Sequence, residues 1–199
     1  MVYTEQAFLA AGFGLRFAFL DLVNSEQWDG FGHLADHLDD PDWVAAFLTR
    51  WGWRGDATTA LPRSEFVYLR AVLRRVVEAI AGGREPAAAD LAALNAGLAV
   101  PQRLRLRVEG GTYQLVCEPL EPGWTWIGAQ IALSAASFLA HDQWRRLKVC
   151  PNAGCRWAFY DETNGNRRRW CNDRTCGNRE KVRRYRRRKA GTISPARNP

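Results

Sequence analysis

Four of the five cysteines fall in one stretch as two pairs, Cys150 with Cys155 and Cys171 with Cys176, with four residues inside each pair and fifteen between the pairs. Two short loops brought together by a hairpin can deliver four thiolates to a tetrahedral zinc ion, at Zn–S distances of about 2.3 Å. A site closed by four cysteines leaves no open coordination position, so the expected chemistry is a structural staple holding one zinc. An iron–sulfur cluster is the competing occupant, but the clustered CxxC runs such clusters use are absent. Disulfides fit less well. The opening segment MVYTEQAFLAAGFG carries Glu5 and no basic residue before its apolar part, a poor secretory signal, and disulfides rarely persist without secretion. Cys117, in a strand-like run, reads as a small buried hydrophobe.

The residues behind the last cysteine carry a second chemistry. Eight of the twelve residues from Asn178 to Lys189 are Arg or Lys. From Arg145 onward there are 17 basic against 4 acidic residues, and before it 11 against 17, so net +13 is joined to net −6 in a chain of net +7. A concentrated cationic surface attracts a phosphate backbone, and the acidic remainder limits unspecific adhesion. Only three of the 28 basic residues are Lys; this bias, with abundant Ala and Gly, fits a GC-rich bacterial genome rather than a nuclear import tail.

Other candidates carry less. In His33-Leu-Ala-Asp36-His37 two imidazoles stand four apart beside a carboxylate, but the inverted zinc-protease motif requires Glu there, and no third ligand pattern is present. It reads as a surface turn. No phosphate loop, GxSxG elbow or Cys/His nucleophile pairing appears, so no enzyme is expected. Trp28, Trp43, Trp51 and Trp53 either line a pocket for a small-molecule effector or pack a core, a choice that sequence leaves open.

These residues need a scaffold, and 199 residues with 47% hydrophobic content suffice for one domain plus a small module. No apolar run approaches the ~20 residues that cross a bilayer, so a cytoplasmic protein with no membrane partner is expected. Residues 15–25 have helical spacing, and 41–51 open with Pro41 behind the capping candidates Asp39 and Asp40. In 64–81, Phe66, Leu69, Leu73, Val76, Val77 and Ile80 form one stripe with Arg70, Arg74 and Arg75 outside it, and Gly82-Gly83 ends the helix. A shorter helix spans 90–99. Leu104, Leu106 and Val108, then Tyr113, Leu115 and Cys117, alternate around Glu109-Gly110-Gly111 and predict a β-hairpin. Residues 124–147 read as one long helix running almost into Cys150.

Within the metal module the order is a Cys pair around a turn, a strand with Trp157 and Phe159, an Asn164-Gly165 turn, a return strand ending at Trp170, then the second pair and a helix. Knuckle, hairpin, helix is the order of a treble-clef finger. Gly177 lets the backbone bend close to the metal, and Asn178 is positioned to cap the helix. Val182 and Tyr185 are expected to pack on the hairpin tryptophans and Glu180 to pair with Arg184. Arg179, Lys181, Arg183, Arg184, Arg186 and Arg187 then contact nucleic acid, mainly phosphate, with Asn178 a candidate base contact.

Cys176-Gly177-Asn178-Arg179 resembles the signature of the CGNR zinc-finger proteins, as do Phe159, Asp161, the Arg167-Arg168-Arg169 run and Trp170-Cys171. Upstream, Leu20-Asp21-Leu22-Val23-Asn24, Leu69-Arg70-Ala71-Val72-Leu73 and Leu94-Asn95 are similar to the ABATE domain that usually precedes this finger. The resemblance implies a bacterial stress-related transcription regulator that binds zinc and double-stranded DNA, and adds Arg167, Arg168 and Arg169 to the nucleic-acid contacts. Asn172-Asp173 departs from the pattern by placing an acid near the DNA face. The expected architecture is α+β: a mostly helical domain with a β-hairpin over 1–147, a treble-clef-like finger over 148–190 and a disordered tail over 191–199. A homodimer is compatible with this reading; an RNA-binding or ribosome-associated module is the alternative, since Trp157, Trp170 and Tyr185 could stack on unpaired bases.

Overall fold

The structure is a computed structural model that describes residues 17–53, 59–140 and 142–191. Among the described residues, five helices build the N-terminal part: α1 (Ala18–Asn24), α2 (Pro41–Arg50), α3 (Arg63–Ala81), α4 (Ala88–Leu98) and α5 (Trp124–Leu139). Their apolar stripes meet in one core that buries Phe19, Leu22, Leu73, Val76, Ile127, Ile131 and Phe138. Each such side chain contributes about 2 kcal/mol on burial. Local signals act as expected: the Asp40 carboxylate accepts from the N–H groups of Asp42 and Trp43, capping α2 ahead of Pro41. Gly83 takes a left-handed conformation (φ 69°) just past the end of α3. Trp53 is buried, and Trp43 and Trp51 pack partly buried against the same core, where Trp43 stacks on Phe47 at 5.3 Å. Trp28 is half-buried and donates its indole N–H to Glu26.

Two of the three arginines expected outside the α3 stripe are buried. Arg70 makes a fork with the Asp36 carboxylate at 2.6 and 2.7 Å, and Arg74 donates to the carbonyls of Val23 and Arg156 at 2.7 Å each. Helical spacing cannot show that distant elements carry acceptors to that face. Arg75 is exposed and pairs with Asp90.

Strands β1 (Glu26–Trp28) and β2 (Leu34–Asp36) pair antiparallel around loop 29–33. Strands β3 (Gln102–Glu109) and β4 (Thr112–Pro119) form the expected hairpin, with Leu104 opposite Cys117, Leu106 opposite Leu115 and Val108 opposite Tyr113. Cys117 is half-buried rather than buried, and its thiol donates to Gln102 Oε1 at 2.8 Å.

The expected 124–147 helix is shorter. It stops at Leu139, a 3-10 turn covers Asp142–Arg146, and strand β5 (Leu147–Val149) follows. Strand β5 pairs with β6 (Ala158–Tyr160), Val149 facing Ala158, so the hairpin of the finger flanks the first Cys pair and no return strand forms over 167–170. The expected boundary at 147/148 therefore falls inside a strand. No described helix is long and apolar enough to cross a membrane. The expected tail lies outside the described residues beyond Gly191.

Candidate metal centre and nucleic-acid interface

Strands β5 and β6 close the first knuckle. The Cys150 N–H donates to Trp157 O at 2.9 Å, and the Cys155 N–H donates to Asn152 O at 2.8 Å, so the tight turn 152–155 turns both thiols to one side. Arg156 leaves this turn with φ 52°, a left-handed conformation that costs a side-chain-bearing residue energy. It is held there by Arg74 Nη1, which donates to its carbonyl, and by its own ion pair with Glu78 at 2.6 Å.

Of the second pair, Cys176 sits on one wide (π) turn, Asp173–Gly177, and Cys171 directly precedes the Asn172 that caps it, whose Oδ1 accepts from the N–H groups of Arg174 (2.8 Å) and Thr175 (3.2 Å). Helix α6 (Asn178–Gly191) leaves this turn directly. Asn178 is thus already helical (φ −65°, ψ −42°), and the capping role expected of it belongs to Asn172. A Cβ on Gly177 would lie 3.2 Å from the Trp170 ring, so the glycine allows the ligand turn to seat on that indole.

The four Sγ atoms lie within 4.8 Å of one another, with Cys155–Cys171 at 3.5 Å and Cys171–Cys176 at 3.7 Å. Tetrahedral zinc with bonds of about 2.3 Å sets its sulfurs about 3.8 Å apart, so these residues fit that ion. Phe159, Trp157 and Trp170 pack around the cluster, burying Cys150, Cys155 and Cys176 and leaving Cys171 half-buried. In that pocket the Cys171 hydrogen bond lowers the Cys155 thiol to about 5, the same bond and burial raise Cys171, and burial raises Cys150. Zinc, which takes thiolates, replaces the protons these sulfurs contend for.

Below the cluster the Asp161 side chain is fully buried. It accepts from Lys148 Nζ at 2.5 Å, from Thr163 through N–H (2.9 Å) and hydroxyl (2.6 Å), and from the Arg168 N–H at 2.7 Å. Lys148 also donates to the carbonyls of Asn166 and Arg168. This network does the work that a return strand would have done: it pins 163–168 against β5.

The predicted contact residues divide. Arg168 turns inward, donating to the carbonyls of Trp170 (3.1 Å) and Cys171, with its guanidinium 4.6 Å from the Phe159 ring; it braces the second ligand pair. Arg179 reaches the N-terminal domain, donating to Asp29 O at 2.7 Å. Glu180 pairs with Arg183 and, at 3.5 Å, with Arg187, not with Arg184 as expected. Arg167, Arg169, Asn178, Lys181, Arg184 and Arg186 are exposed, as are Val182 and Tyr185, which do not pack on the finger tryptophans.

The finger is also bonded to the helical domain by groups that sequence reading passed over. The Asn24 side chain donates to Ala158 O and accepts from Ala158 N, both at 2.9 Å, and so behaves as one more peptide beside β6. Gly30 N–H donates to Gly154 O at 2.8 Å. A polar residue ending the apolar helix α1 was the available signal for Asn24. In the His33–His37 string, His33 meets Asp29 and His37 meets Gln27, while Asp36 is committed to Arg70; the cysteines are the one metal-binding cluster among the described residues.

Comparison with known proteins agrees with this architecture. Residues 18–142 match the ABATE family model, described as "Putative stress-induced transcription regulator". Residues 146–189 match the CGNR zinc finger. No curated protein matches the chain. Core, cysteine cluster and matched segments together place the chain in the ABATE family, with a C-terminal CGNR zinc finger that holds one structural zinc ion.

Proposed function

We propose that the protein is a zinc-dependent regulator of transcription that binds double-stranded DNA through α6. The observation that carries this reading is the geometry of that helix: it starts at the residue after the ligand turn and presents Lys181, Arg184 and Arg186 to solvent from a metal-fixed base. A rigid cationic surface is matched to a phosphate backbone. Arg167 and Arg169 extend the surface, and Asn178 is the candidate for a base edge. With about five phosphates neutralised, log K falls against log salt with a slope near −4.5 on duplex DNA. Replacing Arg184 and Arg186 by Gln reduces that slope by about two. Binding that ignores salt sinks the reading, and tighter binding to structured RNA in the same titration favours the RNA-binding alternative.

Two copies pair through the β3–β4 ribbon. Leu104, Leu106, Val108, Tyr113 and Leu115 are 46–73% exposed on one face, and the arginines 103, 105 and 107 stand on the other, where Glu118 pairs with Arg105 and Arg107. An uncharged face suits an isologous contact, in which like would meet like. At about 100 Å² per side chain, two copies bury about 1,000 Å², the lower bound of a specific interface. Sedimentation equilibrium should show a dimer that Leu106→Lys with Val108→Lys converts to monomer at unchanged zinc content; a monomeric wild type would end this assignment.

No catalytic step belongs to this reading. Effector sensing rests on the contacts of Asn24, Arg74 and Arg179 between domain and finger rather than on the tryptophans, since any ligand that shifts α1 or loop 29–33 acts on them.

A further inference from the structure

An open groove of about 860 Å³ runs between loop 29–33 and α6, lined by Phe31, Arg174, Arg179, Arg183 and Arg186. The loop is built to present one side chain. The Asp29 carboxylate accepts from the N–H groups of Phe31 (2.6 Å) and His33 (3.2 Å) and from the His33 ring (2.8 Å), which fixes the turn. Gly30 holds a left-handed conformation (φ 87°), and a Cβ there would lie 1.7 Å from Arg179 Nη1, so only glycine lets Arg179 reach the Asp29 carbonyl. The guanidinium of Arg179 then covers one face of the Phe31 ring at 4.2 Å. Phe31 is nevertheless 73% exposed. An aromatic ring backed by a cation, open on its outer side and standing over a row of guanidinium groups, offers a π surface and phosphate partners at one place.

We propose that loop 29–33 and α6 form a single bipartite groove for nucleic acid, in which Phe31 stacks on a nucleobase while Arg186 and Arg174 take the flanking phosphates. The inference rests on the nucleic-acid reading above and adds a contact from the helical domain. Charge complementarity selects the occupant: apart from Glu180, which Arg183 and Arg187 neutralise, the charged residues lining the groove are cationic. Stacking is sequence-tolerant because every base has a π face.

The test uses zinc-loaded full-length protein and fluorescence anisotropy with labelled duplex and single-stranded DNA over a salt series. Phe31→Ala is expected to weaken binding about tenfold with the salt slope unchanged, because stacking releases no counterions. Phe31→Trp keeps wild-type affinity, and Arg186→Gln lowers the slope by about one. A larger Phe31→Ala loss on single strands assigns the ring to an unpaired base, and an equal loss assigns it to a base step of the duplex. If Phe31→Ala binds like wild type while Arg186→Gln weakens binding, the loop is no part of the site and this inference fails with the DNA reading intact. If the wild-type zinc protein binds neither DNA, both fail.

Discussion

Replacing Cys171 and Cys176 together by Ala is expected to abolish zinc binding and unfold the C-terminal module while α1, α3 and α5 stay folded. The module has a small core of its own, the cysteines with Phe159, Trp157 and Trp170, far too little to offset the entropy of ordering about 45 residues. Zinc supplies an apparent 10 kcal/mol or more, and since the unfolded chain holds no preformed site, that binding energy is folding energy. The helical domain has a larger core, which takes in only Leu147 and Ala158 of the finger's hairpin, with Val149 and Tyr160 packed on it. Metal analysis with amide hydrogen exchange distinguishes the two parts: exchange protection is lost over 148–189 and kept over 63–81. A double variant that still carries one zinc per chain would disprove the ligand assignment. Chelation of the wild type should reproduce the exchange pattern.

The second large effect belongs to Asp161. Burial pushes this carboxyl up, but the Lys148 ammonium and the hydrogen bonds from Thr163 and Arg168 outweigh it and hold the group at about 2. A carboxyl whose folded value lies below its unfolded value, about 4, contributes stability that is complete above about pH 4 and is lost as the pH falls through about 2. Asp161→Ala removes the acceptor of four hydrogen bonds and leaves the Lys148 ammonium with two carbonyls but no counter-charge, at a cost of about 3–4 kcal/mol. Asp161→Asn keeps part of the geometry and costs less. Denaturant unfolding of the zinc-loaded protein measures both. Over the pH range in which zinc stays bound, the gap between wild type and Asp161→Asn should hold constant as the pH falls from 7 toward about 4; a gap that widens over that range would contradict the assigned role.

Residue type and spacing alone determined the metal centre. A thiolate is a zinc ligand wherever it stands, and two pairs on short loops can converge on one ion with little help from the rest of the chain. The charge asymmetry, the apolar stripe of α3, the Asp40 cap and the β3–β4 turn were legible for the same reason: each depends on neighbours within a few residues. The helix expected over 124–147 was not, because nothing local separates a helix that continues past Leu139 from one that yields to β5. Pairing with Ala158 and Tyr160 decides it.

The fate of the arginines was left to the tertiary structure. Arg70, Arg74, Arg168 and Arg179 all read as surface cations, yet the fold gives each a different partner: Asp36 for Arg70, two carbonyls for Arg74, the Phe159 face for Arg168, and Asp29 with Phe31 for Arg179. The Val23 and Asp29 carbonyls lie 51 and 150 residues away along the chain from Arg74 and Arg179. A guanidinium is five donors in a fixed fork, so whether it faces solvent, phosphate or protein depends on which acceptors the folded chain brings within 3 Å. Sequence specifies the donors, and only packing of the helical domain against the finger supplies those acceptors.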